Sequence, residues 1–285
     1  MALIWPVSVW SSYYVDLSPE KAVDAFSAAG FSATEFSDEH AAVLLERAKS
    51  LAGGAESAGR ALRVYAADRG VSFPQGHLYL KVDLCAADAV EVLLPWLDLF
   101  LALGITAGVL HASGGWKLEA EERFARRAEA LTRLTAYLRG TPLVICLENL
   151  TAPTAPRSAG ELNALIDAVG GANLGICLDT GHLHLAAAAG AGDPTQGAFI
   201  RAAGSRLKAL HIADNDTSGD QHLLPFGCGT VDWQDVMRGL REVGYSGLFN
   251  FEVPGERRAP LSVRREKLRY ARALSDILLS DEFVL

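Results

Sequence analysis

The sequence predicts an α/β fold, a closed (β/α)8 TIM barrel, and three observations carry that prediction. β-rich runs alternate with longer helical patterns along the whole chain, as parallel βα units require. The runs number eight. The 285 residues, 50% of them hydrophobic, suit a barrel of roughly 250 residues. No Pro/Gly/Ser-rich linker, charge run or low-complexity stretch marks an internal boundary, so residues 1–285 are read as one domain.

The expected strands are Ile4 to Val9, Ala33 to Phe36, Val71 to Gly76, Ala107 to His111, Leu143 to Glu148, Leu174 to Asp179, Leu207 to Ile212 and Leu248 to Glu252. Helical spacing of apolar residues runs through Pro19 to Ala29, Glu39 to Ala67, Ala87 to Leu103, Leu118 to Arg139 and Ala159 to Val169. Ser18 before Pro19, and Asp232 before the helix Trp233 to Val243, read as N-caps. Gly30, Gly104, Gly140, Gly170 and Gly244 fall where helices should stop. The Ala/Gly-rich segment Leu183 to Ser205 fits one frayed helix or two short ones.

The formal charge of −8 opposes a phosphate backbone and argues against a nucleic-acid partner. Met1 to Tyr14 lacks the basic start and long apolar run of a signal peptide, and no stretch is long and apolar enough to span a bilayer, so neither a membrane partner nor export is expected. Cys85, Cys146, Cys177 and Cys228 show no CxxC spacing and read as reduced thiols. The expectation is a cytoplasmic protein acting on a small polar molecule, with a homo-oligomer as an open alternative to a monomer.

Five expected strands end in a residue able to bind a metal: His111, Glu148, Asp179, His211 and Glu252. Alternation along a strand points the residue two positions earlier the same way. These are Val109, Cys146, Cys177, Ala209 and Asn250, all small or medium-sized, as an inward layer beneath a barrel mouth demands. The C-terminal ends of barrel strands converge on one pocket, so groups distant in sequence become neighbours there. Separately, each could be a paired or capping residue. Together, carboxylates beside apolar strands such as Val144 to Leu147 are costly to bury unless a cation or partner meets them. A divalent ion would resolve that cost.

Other ligand-type residues are weaker candidates for the same site. His182 follows Asp179 by three and faces the site if the strand ends in a tight turn at Gly181; Asp220 and His222 form an Asp-x-His pair; His77 closes the third strand. His40 and His184, at expected helix starts, read as surface residues. Glu35 and Asp38 could bond substrate hydroxyls or belong to a surface helix start. Trp5, Trp10, Tyr13, Phe73 and Trp116 could stack on the ring face of a small substrate or pack under loops.

Five segments are distinctive together: LENL at Glu148, CLDTGH from Cys177, LHIADND from Leu210, DQHLLPFGCGTVDW from Asp220 and FEVPG from Phe251. In these the chain resembles the xylose isomerase-like barrel superfamily, which groups sugar isomerases and 3-epimerases with the family 2 abasic-site endonucleases of the endonuclease IV type. By resemblance to the ketose 3-epimerases, Glu148, Asp179, His211 and Glu252 would bind one divalent ion. Manganese is favoured, with magnesium, cobalt or zinc as alternatives. Glu148 and Glu252 would exchange a proton with the substrate carbon from opposite faces. The physics agrees, since a carbon acid beside a carbonyl needs a Lewis acid to stabilise the enediolate.

In one respect the chain departs from those epimerases, which carry an arginine six residues after the seventh-strand histidine; Thr217 stands here. With His77, His111, His182, Asp220 and His222 added, the set also matches the nine ligand types of the trinuclear zinc site of endonuclease IV. The sequence therefore supports a metal-dependent isomerase or epimerase of a sugar or polyol. The alternatives are a zinc phosphodiesterase acting on abasic DNA and a barrel that only binds. Few cations occupy the strand-end loops, Lys117, Arg157, Arg257 and Arg258 among them, which favours the first.

Overall fold

The structure, a computed structural model, describes residues 5–283. Its strands are β1 (Val7–Val9), β2 (Gln75–His77), β3 (Ala107–His111), β4 (Val144–Glu148), β5 (Leu174–Asp179), β6 (Leu207–His211) and β7 (Phe249–Phe251). β2 to β6 pair in sequence order, and β7 pairs with β1. Every pairing is parallel.

Seven strands become a closed ring through the segment 33–36. It takes the place of the expected second strand but makes only the isolated bridges Ala33 to Ser72 and Phe36 to Gly76. On its other side the Ser11 amide donates to the Glu35 carbonyl at 2.7 Å, and the Thr34 hydroxyl donates to the Val9 carbonyl at 2.6 Å. A side chain thus replaces one rung of the ladder, so the segment closes the barrel without being a regular strand. The remaining gap closes where the Ile212 amide donates to the Asn250 carbonyl at 2.7 Å and the Glu252 amide to the Ile212 carbonyl at 3.1 Å.

Other expected boundaries shift for local reasons. The strand expected at Val71 to Gly76 shortens because Pro74 has no N–H to give to a ladder. Ile4, at the start of the first expected strand, lies outside the described residues. The long helix expected over Glu39 to Ala67 is two, α2 (Asp38–Ala48) and α3 (Gly54–Ala67), after α1 (Pro19–Ala28). At the break Gly53, and Gly54 as the first residue of α3, take φ of 88° and 53°, which a continuing helix cannot accommodate. α4 (Ala89–Leu103), α5 (Ala120–Tyr137) and α6 (Ala159–Val169) follow. The ambiguous Ala/Gly segment is α7 (Thr180–Ala188) and α8 (Gln196–Ala203), and α9 (Trp233–Glu242) and α10 (Leu261–Leu278) complete the set. Ser18 and Asp232 cap α1 and α9 as expected, each accepting a backbone N–H. Among the described residues no helix is long and apolar enough to cross a membrane.

Two apolar layers result from strand alternation. Ile145, Leu147, Ile176 and Leu178 join the helices in the main core. Val109, Cys146, Cys177 and Ala209 form a separate cluster of fully buried residues. This is four of the five members of the inward layer expected from sequence. The fifth, Asn250, is equally buried but polar, and its side chain accepts from the Ser8 hydroxyl at 2.6 Å.

Candidate metal centre

Above that inner plug the strands present their last residues. His77, His111, Glu148, Asp179 and His211 each end a strand, and Glu252 follows β7 by one residue. One donor atom from each of Glu148, Asp179, His211 and Glu252 lies within 4.8 Å of the others, and all four residues are buried. His211 Nδ1 sits 3.1 Å from Glu148 Oε1 and 3.1 Å from Glu252 Oε2. The five additional candidates surround this group. Glu148 Oε2 lies 3.3 Å from His77 Nε2 and 3.0 Å from His111 Nε2, while Glu148 Oε1 lies 3.3 Å from His182 Nδ1. Asp220 bridges His182 and His222, at 3.2 Å from a ring nitrogen of each.

Local folding places each group. Asp179 caps α7, accepting from the His182 amide at 2.6 Å, so the turn at Thr180 and Gly181 sets His182 on the same side as Asp179. Asn149 locks the adjoining strand ends together: it donates to the Asp179 carbonyl at 3.0 Å and accepts from the Asp179 amide at 2.8 Å. The loop carrying Asp220 and His222 is tied down by Asp214, whose carboxylate accepts from the Val231 amide and the Trp233 indole at 3.0 Å each. His222 itself adopts φ 48° and bonds the Glu252 carbonyl through Nδ1 at 2.9 Å.

The electrostatics follow from burial set against opposite charge. Burial pushes the Glu148 carboxyl up, but His211, His111 and His182 outweigh it and hold the group well below the usual carboxylate range. Glu252 is likewise opposed by burial yet pulled down to about 2, chiefly by His211 and then His222. Asp179 goes the other way, to about 7, because burial and the charges of Glu252 and Glu148 exceed the help of His182 and His222. Burial lowers His77, but the bond to Glu148 lifts it to about 9. His222 rises to about 10 against burial, through Asp220 and Glu252. Several like charges held together in a dry pocket are a polar network that a cation would complete.

One atom tests that fit. Asp179 Oδ2 is buried with no hydrogen-bond partner, whereas Glu252 Oε2 has the His211 imidazole 3.1 Å away. Such an orphaned acceptor costs roughly 1–3 kcal/mol, more for a charged group, unless something positive meets it. The donor set of three carboxylates and one imidazole suits a hard or borderline divalent ion.

Other sequence expectations come out differently. His40 is buried, not on the surface; its Nδ1 lies 2.8 Å from the Ser11 hydroxyl and its Nε2 3.3 Å from the Leu17 carbonyl. His184 is half-buried and reaches the Thr230 hydroxyl. Trp5 packs on Tyr245 and Phe249 beneath the strands, and Phe73 packs on Phe36, so neither is at the mouth. Trp116 is 71% exposed, under the Lys117 ammonium. Glu35 belongs to no surface helix start. It is fully buried and its Oε1 lies 3.0 Å from His211 Nε2, a contact sequence reasoning missed. The available signal was its place inside an expected barrel strand, where a carboxylate must find a partner.

Fold and centre together define a (β/α)8 barrel with carboxylates and imidazoles clustered at the C-terminal ends of its strands. The chain belongs to the xylose isomerase-like TIM barrel family, whose model matches residues 23–274. It is 30% identical over 173 residues to an L-ribulose 3-epimerase of Mesorhizobium japonicum, covering 59% of this chain and 54% of that one. It is 26% identical over 204 residues to a D-psicose 3-epimerase of Enterocloster bolteae, covering 65% and 63%. The matches thus span between half and two thirds of those relatives' lengths. The fold is also that of a D-psicose 3-epimerase from Clostridium cellulolyticum solved with D-tagatose, with a TM-score of 0.79 at 16% identity over 96% of this chain and 99% of the other.

Proposed function

We propose that the protein is a divalent-metal-dependent epimerase or isomerase of a ketose or polyol, working as one unit over residues 1–285. The observation that carries this reading is the meeting of Glu148, Asp179, His211 and Glu252 donors within 4.8 Å, with Asp179 Oδ2 left unpartnered. Manganese is the favoured ion, and magnesium, cobalt or zinc would suit the same donors. A cation held there supplies the positive charge that makes a proton beside a carbonyl removable by a carboxylate.

Glu148 and Glu252 are the acid and base in this proposal. Both carboxyls are held in their ionised range by the surrounding imidazoles, so either can accept a proton at neutral pH. One takes the proton from the substrate carbon, and the other returns a proton to the opposite face. Asp179 and His211 would complete the donor set around the ion, while Asp220 holds one ring nitrogen of His182 and one of His222 beside it. Thr217 stands where the ketose 3-epimerases carry an arginine, so the proposal is of a substrate class and not of one named sugar. The unpaired cysteines support a reducing, cytoplasmic setting.

A second reading, a zinc phosphodiesterase acting on abasic DNA, is favoured by one observation: two further donor groups, His77–Glu148–His211 and His182–Asp220–His222, adjoin the first. The net charge of −8 weighs against it. The deciding experiment incubates Mn2+-loaded protein with D-psicose, L-ribulose and D-tagatose and follows C3 epimers chromatographically, beside a nicking assay on abasic-site DNA with Zn2+-loaded protein. Epimer formation without nicking is the expected result. Nicking at nanomolar enzyme with no turnover of any ketose would replace the proposal with the second reading.

A further inference from the structure

His211 meets carboxylates on both sides of its ring. Nδ1 faces Glu148 Oε1 and Glu252 Oε2, each at 3.1 Å, while Nε2 faces Glu35 Oε1 at 3.0 Å. With an ion bound, the His211 imidazole must be neutral, with one N–H and one lone pair, so only one side can then be a donor. The far side is built to take it. Glu35 is fully buried, and its second oxygen accepts from the Asn250 side-chain amide, whose own oxygen accepts from the Ser8 hydroxyl at 2.6 Å. Ser8, Asn250, Glu35 and His211 thus form a hydrogen-bonded line through the barrel interior, crossing β1, β7, the segment 33–36 and β6.

We infer that Glu35 is a positioning residue: it holds the His211 proton on Nε2 and so presents the Nδ1 lone pair to the cation site. This rests on the metal reading of the centre. Without Glu35 the ring could move its proton to Nδ1, where it would satisfy Glu148 and Glu252 directly and compete with an ion for the same space. With Glu35 in place that arrangement forfeits a charge-assisted bond in a dry interior. The Nδ1 lone pair is then left facing two carboxylate oxygens, and three acceptors converge on a point that only a proton or a cation can occupy. A carboxylate behind the ring also makes the imidazole a stronger donor. Asn250 and Ser8 hold Glu35 in line, which is why a polar residue interrupts the otherwise apolar inner layer.

The test uses metal affinity and proton position, not turnover. Chelator-stripped wild type and Glu35→Gln are titrated with Mn2+ by calorimetry, with circular dichroism confirming the fold of the variant. Glu35→Gln keeps the shape but loses the charge, and its affinity should fall by roughly 10- to 100-fold. In parallel, long-range 1H–15N spectra of Zn2+-bound wild type, with the His211 signals assigned by their loss in His211→Asn, should show the Nε2–H tautomer. A Glu35→Gln variant that binds Mn2+ as tightly as wild type, or an Nδ1–H tautomer in the Zn2+ form, overturns the inference while leaving the centre itself standing. Wild type that binds neither ion overturns both. If Glu35→Gln does not fold, the wild-type spectra alone decide.

Discussion

Glu148 contacts more of the centre than any other single side chain described above, touching His77, His111, His182 and His211 within 3.3 Å. It was also plainly visible in the sequence as the polar end of the apolar run Val144 to Leu147. Glu148→Gln or Glu252→Gln replaces a base by a group that cannot accept the proton. Turnover of the accepted ketose should drop by about 10²- to 10⁴-fold in either variant, with the far-UV circular dichroism unchanged. A steady-state rate within threefold of wild type would remove that glutamate from proton transfer. Glu35 shows the opposite case. Its residue type and strand position were readable, but its partner His211 lies 176 positions away. Only closure of the ring brings the two together. His40 makes the same point, since nothing in its local pattern announces the Ser11 hydroxyl that lets an imidazole be buried.

Among the elements, the connections after the strands set the mouth. The chain leaving β7 passes so close to the turn after β1 that a Cβ at Gly255 would stand 1.7 Å from the Tyr13 carbonyl oxygen. Backbone would have to give way, because the obstacle is not a flexible side chain. Gly255→Ala should therefore destabilise the protein by about 1–3 kcal/mol, seen as a lower Tm and chemical midpoint. Gly219→Ala, which meets nothing within 4 Å and needs no positive φ, should stay within about 0.5 kcal/mol of wild type. Equal stabilities for the two variants would show that the β7 exit relaxes freely. At this scale the sequence was a good guide to helices with clear caps, such as α1 and α9. It was a poor one between α2 and α3, where apolar spacing persists across Gly53 and Gly54 and hides the break. Glycine's backbone freedom, not hydrophobic period, decides such a site.

Across the whole molecule Arg264 ties α10 to the segment that follows β1. It is 1% exposed, donates to both Asp16 oxygens at 2.9 Å and lies 4.5 Å from the Tyr14 ring centre. Its hydrogen bonds hold the Asp16 carboxyl below its ordinary value of 3.8, against a smaller effect of burial. A carboxyl with a lower pKa folded than unfolded contributes stability above the unfolded value and loses it as pH falls through the folded one. Asp16→Asn should thus be less stable than wild type near neutrality and lose less on acidification. Urea midpoints measured from about pH 5 down to about pH 3 should converge for the two proteins. Parallel acid limbs would mean that the pair adds nothing. What the sequence by itself determined is the barrel, its inner layer of Val109, Cys146, Cys177 and Ala209, and the strand-end groups gathered at one mouth. All of these follow from alternation and from where apolar runs stop, which are properties of short stretches of chain. What only the tertiary structure decided is pairing across the ring: Glu35 behind His211, Asp220 between His182 and His222, and the side-chain rung at Thr34 that closes the barrel. Those contacts depend on register and closure, which no short stretch of chain encodes.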